Sequence, residues 1–430
     1  MLEQSTQIFS KPFRTKILAS ATVGNMLEIY DFALYGYFAP IIAILFFPHT
    51  DQFMSLLATF GVFALGFLMR PLGAVLFGYF GDRFGRKKAL SVSILLMAIP
   101  TTLIGLLPTY SQVGAWAGIL LLSCRLLQGL AIGGEFTGSI IYMTEHAPSK
   151  RRGLYGSWAM VGTFLGFLFA SGVSALCSTA LSTASLQLWG WRIPFITGFL
   201  LGIIGLYLRL RMPETPSFIN LQAKNRIVKN PLLSAFQQGY KPMILIAGLN
   251  SLPATSYYLS FVYLSSYIVN YLKLPLAKAL TINTISMLIL TLITPVIGLL
   301  SDKIGRKPIL IIATLSFIVF SYPLFLLMQL GSFAAILSAQ LGFTLLVAGL
   351  FSVIPATLVE LTRANIRYTA ISFPYNLSSA IFGGILPLLA TFLIAKTANP
   401  LSPSFYLIFV AAIMSISLCF IRESFRKDII

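Results

Sequence analysis

Apolar positions in this chain neither alternate nor recur with the period of a half-buried helix. They come in long runs of about 20 residues broken by short polar segments. A run of that length crosses a roughly 30 Å hydrocarbon layer as one helix, whereas the strands of a membrane barrel would be far shorter and alternating. Twelve spans are predicted, at about 17–47, 54–80, 88–108, 114–147, 153–177, 191–209, 241–270, 279–300, 308–330, 333–360, 368–395 and 403–421. The fold class expected is therefore an all-α integral membrane protein of twelve transmembrane helices.

The polar breaks repeat. Residues 78–90 read GYFGDRFGRKKAL and residues 298–310 read GLLSDKIGRKPIL, so that Asp82, Gly85, Arg86 and Lys87 match Asp302, Gly305, Arg306 and Lys307 at an offset of 220. Glu145 precedes Arg152 by seven residues, and Glu360 precedes Arg367 by seven, at an offset of 215. Two related halves follow: six-helix pseudo-symmetric bundles over 1–210 and 241–430, joined by a polar cytoplasmic linker, 211–240. Parallel repeats with a binding site between them are an arrangement expected of a transporter.

Composition agrees, with 430 residues, 57% hydrophobic and 10% charged, and a mean hydropathy of +0.87. A net charge of +18 would raise nucleic-acid binding in a soluble protein, but here its placement speaks for topology. With a cytoplasmic N-terminus, 24 of the 30 basic residues fall on one side, which puts both termini in the cytoplasm and leaves no nucleic-acid partner to invoke. Cys124, Cys177 and Cys419 lie in apolar stretches without metal-ligand spacing, and His49 and His146 are the two histidines. No metal site, cofactor or nucleophile–base set emerges, and an enzyme is not expected.

The duplicated DxxGR element lies where the second helix of each half leaves the membrane. Its Gly permits the tight turn that brings Asp and Arg together. Asp82, Arg86, Glu145 and Arg152, with Asp302, Arg306, Glu360 and Arg367, are read as a cytoplasmic gate of ion pairs that hold in one state and break in the other.

Charges at depth are the second signal, because an intramembrane ionisable residue is costly and by default functional. Glu28, Asp31 and Glu135 are the buried acids, Arg70 and Arg125 the buried bases. By helix rise, Glu28 and Arg70 lie about 18 Å from the cytoplasmic surface and Glu135 about 15 Å, with Asp31 and Arg125 further out at about 22 and 30 Å. Glu28 and Asp31, three apart, share a face with Tyr35 one turn on. Asp31 beside Arg125 is held ionised; when the guanidinium is drawn away, burial raises its pKa and it takes a proton. Three carboxylates against two arginines leave the cluster one proton short of neutrality, as a one-proton symporter requires. Glu28 and Glu135 join Asp31 and Arg125 as proton-coupling candidates. Arg70 is the candidate for a substrate carboxylate, its planar fork suiting bidentate binding, with pairing to Glu28 or Glu135 as the alternative. Tyr35 and Gln128 are grouped with it. The second half supplies no comparable charge within its spans, so its contribution is sought in Asn250, Tyr257, Tyr258, Tyr263, Gln340, Tyr375 and Asn376, as hydrogen-bonding groups or a cation–π face.

The DRFGRKKAL and DKIGRKPIL loops and RLLQGLAIGG (125–134) resemble the signatures of the major facilitator superfamily over all twelve spans. GNMLEIYDFALYG (24–36), MRPLGAVLFGYFGDRFGRK (69–87), RLLQGLAIGGEFTG (125–138), WGWRIPF (189–195), ETPSF (214–218) and IRYTAISFPYNLSSAIFGG (366–384) resemble its metabolite:proton symporters, among them proline/betaine, α-ketoglutarate, citrate and shikimate carriers. Leu361, Thr362 and Arg363 depart from the Phe-Pro often found after the tenth-span Glu, and GTFLGFLFASG (162–172) lacks the Gly-Pro element of drug antiporters. The resemblance implies a bacterial inner-membrane carrier, functional as a monomer in the lipid bilayer, importing a small organic acid or zwitterion with a proton by alternating access. It also matches Tyr30, Asp31 and Arg125 to the coupling set of sugar–proton symporters. An uncoupled facilitator or exchanger, or a non-transporting sensor of the same fold, is the alternative.

Overall fold

In the computed structural model the described residues are 22, 25–26, 29–30, 33–84, 86–145, 147–211, 231–362 and 367–425. Glu28 and Asp31 lie outside them, as do most of the predicted linker and the side chains of Asp82, Arg86, Glu135 and Glu145.

Every regular element among the described residues is helical. The first span ends in α1 (Ala39–Phe46), followed by α2 (Gln52–Leu68), α3 (Arg70–Phe84), α4 (Arg86–Leu106), α5 (Trp116–Glu145), α6 (Arg152–Ala180) and α7 (Arg192–Arg211). The second half comprises α8 (Pro231–Tyr258), α9 (Leu264–Asn270), α10 (Leu276–Ile304), α11 (Arg306–Met328), α12 (Phe333–Phe351), α13 (Ile354–Glu360), α14 (Arg367–Ser378), α15 (Leu386–Thr397) and α16 (Ser402–Cys419). Among the described residues eight helices are long and apolar enough to cross a membrane, and a ninth is reached if the bent pair 183–190 and 192–207 counts as one. Helix α8 begins at Pro231, ahead of the predicted seventh span, with a non-helical Gly239 between the two parts.

Side chains sort as a bilayer demands. Leu292, Val296, Ile312, Val319 and Ile416 are exposed, while Arg70, Arg125, Gln128, Asn250, Asn283, Gln340 and Asn376 are buried. Helix is the form that satisfies its own backbone in lipid, and even hydroxyls turn back onto it: Thr101 onto Met97, Thr291 onto Met287 and Thr391 onto Pro387. In two long spans the regular α ladder is interrupted after a proline. Pro253 precedes a π-helical turn at Leu259–Tyr263, and Pro374 one at Ser379–Gly384.

The halves meet along two seams. Helix α6 packs lengthwise on α10, from Gly153 against Ser301 to the Ser171 hydroxyl against Thr284, at 2.8 Å. Helices α2, α3 and α5 pack on α14 and the π turn after it. Contact is made at both ends of the molecule: Gln52 donates to Asn270 at 3.3 Å at one, and the backbone of α6 donates to Asp302 at the other.

Candidate functional site

Small residues bring the two buried arginines to the centre. In MRPLGAVLFG and RLLQGLAIGG, Gly73 faces the Leu130 carbonyl and Gly133 faces Arg70 and Ala74 so closely that a Cβ on either would collide with backbone. Arg70 on α3 and Arg125 on α5 are thereby carried by two helices in backbone contact.

The Arg125 guanidinium lies 4.5 Å from the centre of the Tyr35 ring and 5.3 Å from that of Phe63, the two rings stacking at 6.0 Å. Its Nη1 donates to Gln128 Oε1 at 2.7 Å, and Gln128 Nε2 donates to Thr101. Tyr35 donates its hydroxyl to the Thr59 carbonyl at 2.9 Å. Gln128, grouped with the substrate candidates from sequence, thus spends its amide on Arg125 and α4. Tyr30 reaches away, to Pro194 at 3.0 Å and Thr197 at 2.9 Å, so the ring beneath Arg125 is that of Tyr35. A delocalised cation over aromatic faces is the form of buried charge that such a setting tolerates.

Arg70 is buried with a neutral partner, its Nε donating to Asn376 Oδ1 at 3.2 Å, and its guanidinium lies 5.1 Å from the centre of the Phe67 ring. Phe67 in turn meets Tyr258 edge-on at 4.8 Å, and Tyr257 meets Phe167 at 4.8 Å and stacks with Phe164 at 5.6 Å. Phe136 lies 5.3 Å from Tyr375. Rings from both halves therefore form one aromatic cluster beside Arg70. Asn250 donates to the Tyr375 carbonyl at 3.1 Å and to Ser379 at 2.9 Å, holding α8 to the α14 bend. Tyr263 packs on Phe60 at 5.8 Å, further along the seam. Gln340 donates to Asn283 and to the Ser260 carbonyl, both at 3.0 Å, and Asn283 passes the chain to Ser171 of the other half at 3.2 Å. Asn283 was missed from sequence; the signal was an amide inside an apolar run.

At the far end, Arg306 bridges Asp302 at 2.8 Å and Glu360 at 3.3 Å, all three buried or nearly so. Asp302 also accepts from the backbone N–H groups of Gly153 at 2.8 Å and Leu154 at 2.9 Å, the N-terminus of α6. A carboxylate there is favoured by the unsatisfied amides and the helix dipole. The duplicated acids and arginine of the second half thus lock the halves together as well as each other. Arg367 instead turns its Nε and Nη2 to the Thr362 carbonyl, at 3.2 and 2.9 Å, and Arg152 is buried at the start of α6.

Glu423 is a second residue that sequence reasoning missed. It accepts from the backbone of Arg306 at 3.1 Å and Lys307 at 2.9 Å, capping α11, while Ser424 donates to Glu360 at 2.6 Å and the Lys307 ammonium to the Ile421 carbonyl at 2.8 Å. Burial pushes the Glu423 carboxyl up, but the N–H groups of Phe425, Arg306, Lys307 and Ser424 outweigh it and hold the group below its usual range. Arg192 of the WGWRIPF block is structural, donating to the Gly105 and Leu107 carbonyls at the end of α4, at 2.9 and 2.7 Å.

The family model described as Sugar (and other) transporter matches residues 17–229 and again 220–429, once per half. The chain belongs to this family, within the major facilitator superfamily. It is a membrane transporter and not an enzyme, with the twelve-helix fold of two six-helix bundles. The glycine betaine/proline/ectoine/pipecolic acid transporter of Dickeya dadantii is 33% identical over 423 residues, covering 96% of this chain and 84% of its own. The ectoine/proline transporter of Corynebacterium glutamicum is 35% identical over 430 residues, covering 96% and 85%. A crystal structure of a D-xylose–proton symporter superposes with a TM-score of 0.77 at 20% identity, over 96% of this transporter and 99% of that chain.

Proposed function

We propose that this transporter imports small zwitterionic carboxylates bearing a secondary or quaternary ammonium, together with a proton, by alternating access. The observation that carries the substrate class is Arg70, a buried guanidinium with a neutral amide ligand, set beside the aromatic faces of Phe67 and Tyr258. A carboxylate suits the first and an onium group the second, side by side. Of the ligands named for the relatives, glycine betaine carries a quaternary and proline a secondary ammonium beside the carboxylate, and ectoine a cyclic amidinium in the same place. Tyr35, Gln128, Asn250, Tyr257, Tyr263, Gln340, Tyr375 and Asn376 complete or support the lining. Asp31 carries the proton against Arg125, with Glu28 and Glu135 in the same electrostatic unit. The gate comprises Asp82, Arg86, Glu145 and Arg152 with Asp302, Arg306, Glu360 and Arg367.

The distribution of basic residues supports a bacterial inner-membrane protein with both termini cytoplasmic, two bundles over 1–210 and 241–430, and a cytoplasmic linker between them. We take the monomer as the working unit, since the lining comes from the two halves of one chain.

Proteoliposomes holding a pH dye test the reading, challenged with glycine betaine, proline, ectoine, α-ketoglutarate and citrate. Wild type is expected to acidify with the zwitterions, and Asp31→Asn to take up labelled solute without acidification. Substrate uptake without proton movement in wild type makes the protein a facilitator, and acidification only with di- and tricarboxylates removes the zwitterion assignment.

A further inference from the structure

Asn376 stands at a junction that its assignment as a lining residue does not explain. Its Oδ1 accepts from Arg70 Nε, while its Nδ2 donates to the Gly133 carbonyl at 2.8 Å and to Ser372 of its own helix at 2.9 Å. One side chain of the second half is therefore bonded to two helices of the first, α3 and α5, at the point where those helices touch. Asn376 is also the inner end of a row. Positions 368, 372 and 376 fall on one face of α14, and each bonds across to α5: Tyr368 to the Gly134 carbonyl, Ser372 to the Thr137 hydroxyl at 2.6 Å, and Asn376 to Gly133. These three rungs close the seam between the central aromatic lining and the end of the molecule that carries Asp302, Arg306 and Glu360.

We infer that Asn376 is a placeholder for the substrate carboxylate and the residue that transmits its arrival. In the unliganded transporter the carboxamide oxygen takes the position on Arg70 that a carboxylate oxygen takes when substrate binds. The exchange runs one way because a carboxylate meets the guanidinium as a bidentate ion pair, whereas the carboxamide offers it a single neutral oxygen. Once displaced, the carboxamide turns off Arg70, its geometry to Gly133 is lost, and the innermost rung of the α5–α14 row opens. Substrate binding is converted into release of the seam on one side only, as alternating access needs. Asn376 is thus a positioning residue acting through Arg70 and Gly133. The inference rests on Arg70 receiving the carboxylate.

Variants at Asn376 and Arg70 separate the two ideas, each purified in detergent for ligand binding and reconstituted for uptake, with glycine betaine as probe. Asn376→Ala is expected to bind glycine betaine several-fold more tightly, a competitor having been removed, while its maximal uptake rate falls about tenfold. Asn376→Ser serves in the same role should the alanine variant not assemble. Asn376→Asp ties a carboxylate to Arg70 and is expected to weaken binding at least tenfold. The seam is read by a short bifunctional thiol reagent bridging Thr137→Cys and Ser372→Cys: glycine betaine lowers the yield with Asn376 present, choline, which lacks a carboxylate, leaves it unchanged, and in Asn376→Ala the yield ignores both. Weaker binding in Asn376→Ala with a cross-link that still answers to glycine betaine overturns the inference and leaves Asn376 an ordinary substrate contact. If Arg70→Gln binds glycine betaine as wild type does, it is the carboxylate assignment that fails.

Discussion

Arg125 illustrates what a single side chain needs in order to be buried here. Its charge is spread over a planar group that lies on Tyr35 and Phe63 and is fixed in rotation by Gln128. A lysine keeps the charge but neither the stacking nor the fork. Arg125→Lys is expected to reach the membrane at normal levels and to lose at least tenfold in uptake rate, measured with labelled substrate in proteoliposomes. Gly384 makes the opposite demand, for nothing at all: a Cβ there would collide with the Phe67 side chain, which backs the Arg70 site. Gly384→Val is overpacked and should cost about 1–3 kcal/mol, seen as a lowered melting temperature in detergent with loss of substrate binding. Both residues lie in blocks quoted from the sequence. Their chemistry was legible for Arg125, a charge in an apolar run, and not for Gly384, whose meaning depends on a ring more than 300 positions earlier in the chain.

Among elements, α11 shows how a helix start becomes part of a charge cluster. Gly305, at φ 102°, turns the chain sharply after α10, so that Asp302 and Arg306 meet across the turn at 2.8 Å. The free N–H groups of α11 that follow are met by Glu423, and Ser424 ties the same segment to Glu360. Because the Glu423 carboxyl is held below its ordinary value, its contribution is fully present above the usual carboxylate range and is lost as pH falls through the lowered value. Glu423→Gln should therefore melt a few degrees below wild type at pH 7, with the gap closing as pH falls through the lowered value. A gap that persists unchanged into acid would assign the effect to packing and not to the carboxylate. The DxxGR repeat pointed to the Asp and Arg of this cluster. Glu423 carried no such flag, being one acid in a basic tail until the chain folds it back.

For the whole molecule, the balance between the two closed ends decides which side opens. Among the described side chains of the proposed gate, Asp302 is the carboxylate that binds both its own half and the other: Arg306 at 2.8 Å, and the Gly153 and Leu154 amides at 2.8 and 2.9 Å. Neutralising it removes the ionic part of both, and a bias of about 1.4 kcal/mol is already a tenfold change in population. Asp302→Asn is expected to raise several-fold the labelling of a cysteine placed at Ser157, in the seam against Gly298, by a membrane-impermeant thiol reagent. Substrate exchange should survive while net uptake falls. Equal labelling in variant and wild type would mean that Asp302 does not hold this side shut.

The sequence by itself determined that the chain is helical, membrane-embedded, duplicated and charged at a few deep positions. Run length, charge placement and an internal offset are local properties, and lipid leaves helix as the way to satisfy such a backbone. It did not determine which partner each deep group would take. Arg70 and Asn376 are 306 positions apart, Asp302 and Gly153 149 apart, and Asn283 and Ser171 112 apart. Those pairings exist because the two halves are packed together along α6–α10 and α5–α14. Only that docking decides that a neutral amide waits on Arg70, and that an aspartate from one repeat caps a helix of the other.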